Sequence, residues 1–305
     1  MTTTTTTTTT TTRLRRALRR ALRREIPSTV GLLADEQDFA AMRRYRTFAF
    51  DDHGTYLKEI EALLKSLARQ GTHTTVALFD PDEYVSYCAE TGLDPDHPTS
   101  RSRFTDHLAT TGARVTYTGQ PLTTLLPELV DTAVRRATWE YATTVLATAG
   151  DCPDCDLDLG RDAFDHATRL LLALLDGAGS GTHHLVCSVP AADDHLLAVL
   201  HTARDDQGTN HHDPTAATEF AAVLAAGLVL AAPGGLVLRA THPGRPDRVH
   251  GWRLADGTLA PLTEAEVFAA YCTDARTGEP LPPEHGVDHR AGFPLAPDPG
   301  THRHP

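Results

Sequence analysis

Four aspartates near the ends of two apolar runs supply the first candidate chemistry. "FAFDDHG" (48–54) sets Asp51 and Asp52 directly after an apolar stretch, and "VALFDPDE" (76–83) sets Asp80 and Asp82 after a second. If both runs are neighbouring parallel strands, their carboxylates converge beyond the carboxyl ends, where open α/β sheets bind ligands. That many hard oxygen donors suits a magnesium ion bridging a phosphate. Asp51, Asp52 and Asp80 are then the catalytic candidates of a metal-dependent hydrolase or phosphoryl-transfer enzyme. The same residues also fit a plainer role, because an aspartate before a helix caps its free N–H groups and suits its dipole. Asp80 before Pro81, and Asp51 or Asp52 before the helical pattern that follows them, fill that role with no substrate.

The run "FDDHGT" (50–55) resembles the first motif of the haloacid-dehalogenase phosphatases, Asp-x-Asp-Gly-Thr. The resemblance implies Asp51 as nucleophile and puts His53 where that family carries its acid/base aspartate. Gly54 and Thr55 match, and the likeness extends little further. The second apolar run ends in "LFDP" instead of the serine or threonine that would hold phosphate. The two lysines, Lys58 and Lys65, both lie in the helix immediately after the motif, not in the later part of the chain where the family has its lysine.

"CPDC" (152–155) is the second candidate. Two cysteines two residues apart form half of a tetrahedral zinc site, so Cys152 and Cys155 are tentative zinc ligands and zinc the one cofactor the sequence suggests. No second CxxC completes the set; Cys187, Cys272, His166, His183 and His184 could do so only through tertiary folding. A redox role fits less well. Asp151, Asp154, Asp156 and Asp158 surround the pair, and negative charge raises a thiol pKa. Seventeen histidines include the pairs 183–184 and 211–212. Neighbours in a strand point to opposite faces, so His183 and His184 cannot serve one ion. A P-loop, a dinucleotide fingerprint and a GxSxG elbow are all missing from the text.

These residues must be positioned by an alternation of elements. "YRTFAF" (45–50), "TTVALF" (74–79) and "ARVTYT" (113–118) read as strands. Helical spacing runs from Tyr56 to a stop at Gly71, from Pro81 to Gly92, over "SRSRFTDHLATTG", and over 121–148, with Pro127 as the better start. Such alternation predicts a Rossmann-like parallel sheet over residues 40–149. Residues 150–277 read as a smaller α+β domain opening with the CxxC loop. Its order is helix, two strand-like segments (183–189 and 195–203, the second also open to a helical reading), helix, hairpin and a last helix capped by Thr263 and Glu266. That order is topologically similar to small profilin-like or roadblock-like domains. Residues 278–305, rich in Pro, Gly and His, read as a flexible tail.

Residues 1–26 are expected to be a leader. An unbroken threonine tract (2–12) reads as disordered. "RLRRALRRALRRE" (13–25) then places Leu14, Ala17, Leu18, Ala21 and Leu22 on one helical stripe, with Ile26 continuing it. A basic amphipathic helix of this kind can meet an anionic membrane surface or a partner, or fold onto the acidic remainder of the chain. The formal charge is -12, and the leader's seven arginines leave 21 basic and 39 acidic residues elsewhere. That balance argues against general nucleic-acid binding. Five cysteines and no apolar signal segment point to the cytoplasm. Scarce lysine, isoleucine and asparagine fit translation from very GC-rich DNA, as in actinobacteria. The class expected is α/β, and the leading function is a non-catalytic cytoplasmic regulatory or interaction protein with a protein partner; the metal-dependent enzyme is the alternative.

Overall fold

The computed structural model describes residues 28–295 apart from 154, 192–194 and 275–276. The threonine tract and the arginine stripe lie outside the described residues, and so does the end of the C-terminal segment. Two compact units divide the chain, residues 1–136 and 137–305. Both combine helices with β-sheet, so the α/β class holds. No helix among the described residues is long and apolar enough to cross a membrane.

In the first unit the elements run β1 (Ser28–Leu32), α1 (Glu36–Met42), α2 (His53–Arg69), β2 (Thr74–Leu78), α3 (Pro81–Thr91), α4 (Pro98–Thr111) and β3 (Arg114–Thr116). The sheet has the order β1-β2-β3. β1 pairs in parallel with β2, Val30 opposite Val76, and β2 pairs antiparallel with β3, Val76 opposite Val115. The sheet is therefore mixed, not the Rossmann-like parallel sheet the alternation suggested. The difference begins with the first strand. "YRTFAF" is irregular, and among the described residues no strand lies beside it to complete a ladder. Its backbone is satisfied by turns and side chains: the Phe48 N–H donates to the Tyr45 carbonyl at 3.0 Å, the Thr47 N–H donates to Asp96 at 3.0 Å, and Arg101 donates to the Thr47 carbonyl at 3.1 Å. Phe48 and Phe50 pack on Tyr56, at ring separations of 5.9 and 5.2 Å. The true first strand is "STVGL", whose Val30 and Leu32 join Phe39, Leu64, Val76, Tyr84, Phe104 and Leu125 in one core.

α5 (Leu122–Thr148) matches the helix expected over 121–148 and does not wait for Pro127 to start. Burial decides this, because Leu122, Leu125 and Leu129 all insert into the first unit's core. Proline inside a helix removes a hydrogen bond and crowds the preceding turn; that packing offsets the cost.

The second unit holds α6 (Leu159–Ala178), β4 (Gly181–Pro190), β5 (His195–Arg204), β6 (Asn210–His212), α7 (Pro214–Val229), β7 (Gly234–Thr241), β8 (Asp247–Ala255), β9 (Thr258–Pro261), α8 (Glu264–Tyr271) and β10 (Val287–Arg290). The sheet order is β10-β8-β7-β4-β5-β6, with β9 also on β8, and every pairing except β10–β8 is antiparallel. The segment 195–203 is a strand, since every second residue from Leu196 to Thr202 is buried. α7 is buried continuously from Phe220 to Leu228, as a helix apolar all round should be. With α6 it covers one sheet face, over Leu185, Cys187, Leu200, Leu236 and Trp252.

The expectation of a loose tail from 278 onward needs correction over its described part. Residues 287–290 form β10 beside β8. Beyond them Phe293 stacks edge-on against Trp252 at 4.9 Å, and the Trp252 Nε1–H donates to the Phe293 carbonyl at 3.1 Å. A Cβ at Gly177 would stand 2.2 Å from the Phe293 ring, so only glycine admits that ring to α6. Pro and Gly content signalled a lack of helix, and the chain remains ordered through side-chain packing instead.

Candidate functional site

Each carboxylate of the opening pattern has a definite place. Asp51 is exposed and follows an irregular segment, so the strand end that the phosphatase resemblance requires is not there. Asp52 caps α2: its Oδ1 accepts from the Thr55 N–H and its Oδ2 from the Thr55 hydroxyl, both at 2.7 Å. Those bonds hold its carboxyl below the ordinary carboxylate range. His53, at the acid/base position of the resemblance, sets Nε2 3.2 Å from the Leu33 carbonyl and packs its ring near Phe39 and Tyr56. Asp80 does follow a strand, β2, but its Oδ1 is taken by the N–H groups of Asp82 at 2.7 Å and Glu83 at 3.1 Å. Sequence reasoning missed the carboxylate that interacts with Asp80, that of Asp38. Asp35 follows β1 and caps α1, and Asp38 sits in that helix. Burial first, then Asp35, Asp80 and Asp82, push the Asp38 carboxyl above its ordinary value, while His53 works the other way. The signal was available in "LLADEQD", an aspartate cap directly after an apolar run.

At the CxxC loop the two thiols part company, Cys152 being buried and Cys155 exposed. The loop closes through the Cys152 N–H to the Leu157 carbonyl at 2.8 Å and the Asp156 N–H to the Cys152 carbonyl at 2.9 Å. No group of three or more His, Cys, Asp or Glu side chains placed to hold a metal ion occurs among the described residues. Among the described residues, which leave out Asp154, no such group forms around Cys152 and Cys155 or around Asp51, Asp52 and Asp80.

A different surface emerges from the second unit's sheet. β4, β5 and β7 bury one face under α6 and α7, and pleating turns the alternate residues to the other face. Register lays those residues in rows. Val237, Val186 and Val199 form one, Gly235, Ser188 and Leu197 the next, and Arg239, His184 and His201 a third. Leu197 is 48% exposed and Val199 40%, high values for residues at the middle of a long strand. In the third row the Nδ1 atoms of His184 and His201 lie 3.0 Å apart. Burial, then His201 and Arg239, hold His184 below its ordinary pKa. Arg239 is fixed by Asp247 at 2.6 Å and Glu284 at 2.9 Å. The result is an apolar patch beside a polar, hydrogen-bonding row, the mixture found in protein contact surfaces.

A family model described as a domain of unknown function (DUF8829) matches residues 17–120. The match takes in part of the arginine-rich stretch and the elements from β1 to β3, and it stops before α5. No curated protein and no solved structure matches the chain.

Proposed function

We propose that this chain is a non-catalytic interaction protein whose contact surface is the open sheet face of the second unit. The observation that carries this reading is the exposed apolar pair Leu197 and Val199, in register with Val186 and Val237 on a face that α6 and α7 do not cover. A sheet that leaves large apolar side chains together in water loses the free energy their burial would supply, about 1.5–3 kcal/mol for each fully covered side chain. A protein partner restores it. The candidate catalytic carboxylates support the same direction, because Asp52 and Asp80 already serve as helix caps. A cytoplasmic setting fits Cys88, Cys187 and Cys272, which are buried and form no disulfide.

The test is a double substitution, Leu197→Asp with Val199→Asp. Both side chains are exposed, so the fold should persist, as circular dichroism would verify. Proteins retained by the wild-type chain and lost by the variant would be identified, purified and titrated directly. Identical partners with identical affinities for both chains would remove the reading.

A further inference from the structure

The edge of the same sheet suggests what kind of partner one part of the molecule accepts. β10 ends the strand order and pairs only with β8 among the described residues. Beside it lies a groove of about 580 Å³ lined by Glu264, Ala265 and Phe268 of α8 and by all four residues of β10. Consecutive strand residues point alternately to opposite faces, so four in succession can line one groove only if it runs along the strand's edge. The groove thus faces backbone N–H and C=O groups that β8 does not use. One wall is apolar: Phe268 is 45% exposed, and its ring is held by an edge contact with His289 at 5.3 Å. Glu264 stands one helical turn before Phe268, on the same side of α8.

The charges in the groove are unequal. Asp288 and Arg290 neutralise each other at 3.0 Å, and Glu266 is engaged by Arg253 and by the Thr263 cap. Glu264 has no ion-pair partner among the described residues, leaving one negative charge at the mouth of an apolar groove. The chain as a whole carries -12, which favours the approach of cations.

We propose that β10 and α8 form a site for strand addition. An extended segment of a partner protein pairs with the free edge of β10 and turns one alternate set of its side chains toward α8; within that set apolar side chains lie against Phe268 and Val287 and a basic one sits by Glu264. Main-chain hydrogen bonds supply affinity in this mode and alternate side chains supply specificity. The proposal rests on the reading of the chain as an interaction protein but uses a surface separate from Leu197 and Val199.

The probe is a capped octapeptide with valine and lysine in turn at the odd positions and threonine at the even ones, titrated into the full-length chain by calorimetry. Two further versions carry N-methyl groups on the odd-position amides or on the even-position amides. Charge and side chains are unchanged in both, so electrostatic attraction alone treats them alike. In an added strand only one set of alternate N–H groups faces β10. We expect one methylated version to bind at least about tenfold more weakly and the other to bind about as well as the parent. Replacement of lysine by glutamate in the peptide, or Glu264→Lys or Phe268→Ala in the protein, should weaken binding with an unchanged thermal midpoint. No binding of the parent peptide, or equal binding of both methylated versions, overturns the proposal. So does a dimer in light scattering that the peptide fails to dissociate, because a second copy would then occupy the edge. If the octapeptide fails while Leu197→Asp with Val199→Asp still abolishes partner binding, only the strand-addition site is lost.

Discussion

His183 and His184 are adjacent and chemically identical, yet strand geometry gives them opposite surroundings. His183 is fully buried, with Nε2 bonded to the Gly179 carbonyl at 2.9 Å, while His184 meets His201 on the open face. The sequence was enough to show that the two could not share one ion; it could not show which would be buried. Burial holds His183, His184 and His250 below the ordinary histidine value. Between those lowered values and about 6.5 the unfolded chain binds more protons than the native one, so stability is full above about 6.5 and declines as pH falls through the depressed values. Urea unfolding midpoints should therefore be lower at about pH 5.5 than at about pH 7.5, a window above the range where carboxylates titrate. Equal midpoints would mean that these rings are solvated in the native protein. Cys187 illustrates the same principle, since burial pushes its thiol up to about 12 and leaves it inert at neutral pH.

At the level of elements, the helices were the legible part because their signals are local. Asp52, Asp80 and Thr263 all act as N-caps, and Gly92 ends α3 in the left-handed conformation at φ 67°. Caps also separate the two meanings of the aspartates. Asp52→Ala and Asp80→Ala should each lower stability by about 1 kcal/mol, and the Asn versions should recover most of it, since asparagine caps nearly as well as aspartate. Denaturant titration of the four variants checks this. A loss confined to function, with stability unchanged in the alanine variants, would return these residues to a catalytic role. Strands were less legible because a strand is defined by its neighbour. "YRTFAF" has the right residues and no partner, whereas "STVGL" has one in β2. The same dependence explains β3, whose residues suit a strand but do not state its direction.

Across the whole molecule the C-terminal segment is where composition misled most. Glycine and proline removed helix and left no visible pattern, but Phe293 returns to Trp252 and Gly177, and β10 extends the sheet. Phe293→Ala should destabilise the second unit by about 2–3 kcal/mol, somewhat below the cost of emptying a fully enclosed ring site. Thermal or denaturant unfolding followed by Trp252 fluorescence reads it, and an unaltered midpoint would mean that the segment does not pack. Both surfaces assigned to binding exist only at this scale. The face around Leu197 is created by three strands in register, and the groove beside β10 by a helix and a strand well apart in the chain.

The sequence by itself determined the α/β class, the positions of most helices, the aspartate caps and the absence of the P-loop and nucleophile-elbow motifs, because each depends on residues a few positions apart. Only the tertiary structure decided which apolar runs are strands, how they pair, that Asp38 interacts with Asp80, and which sheet face α6 and α7 leave uncovered. Those outcomes rest on contacts between segments tens of residues apart, where burial and backbone hydrogen bonds are shared between partners and neither segment carries the answer alone.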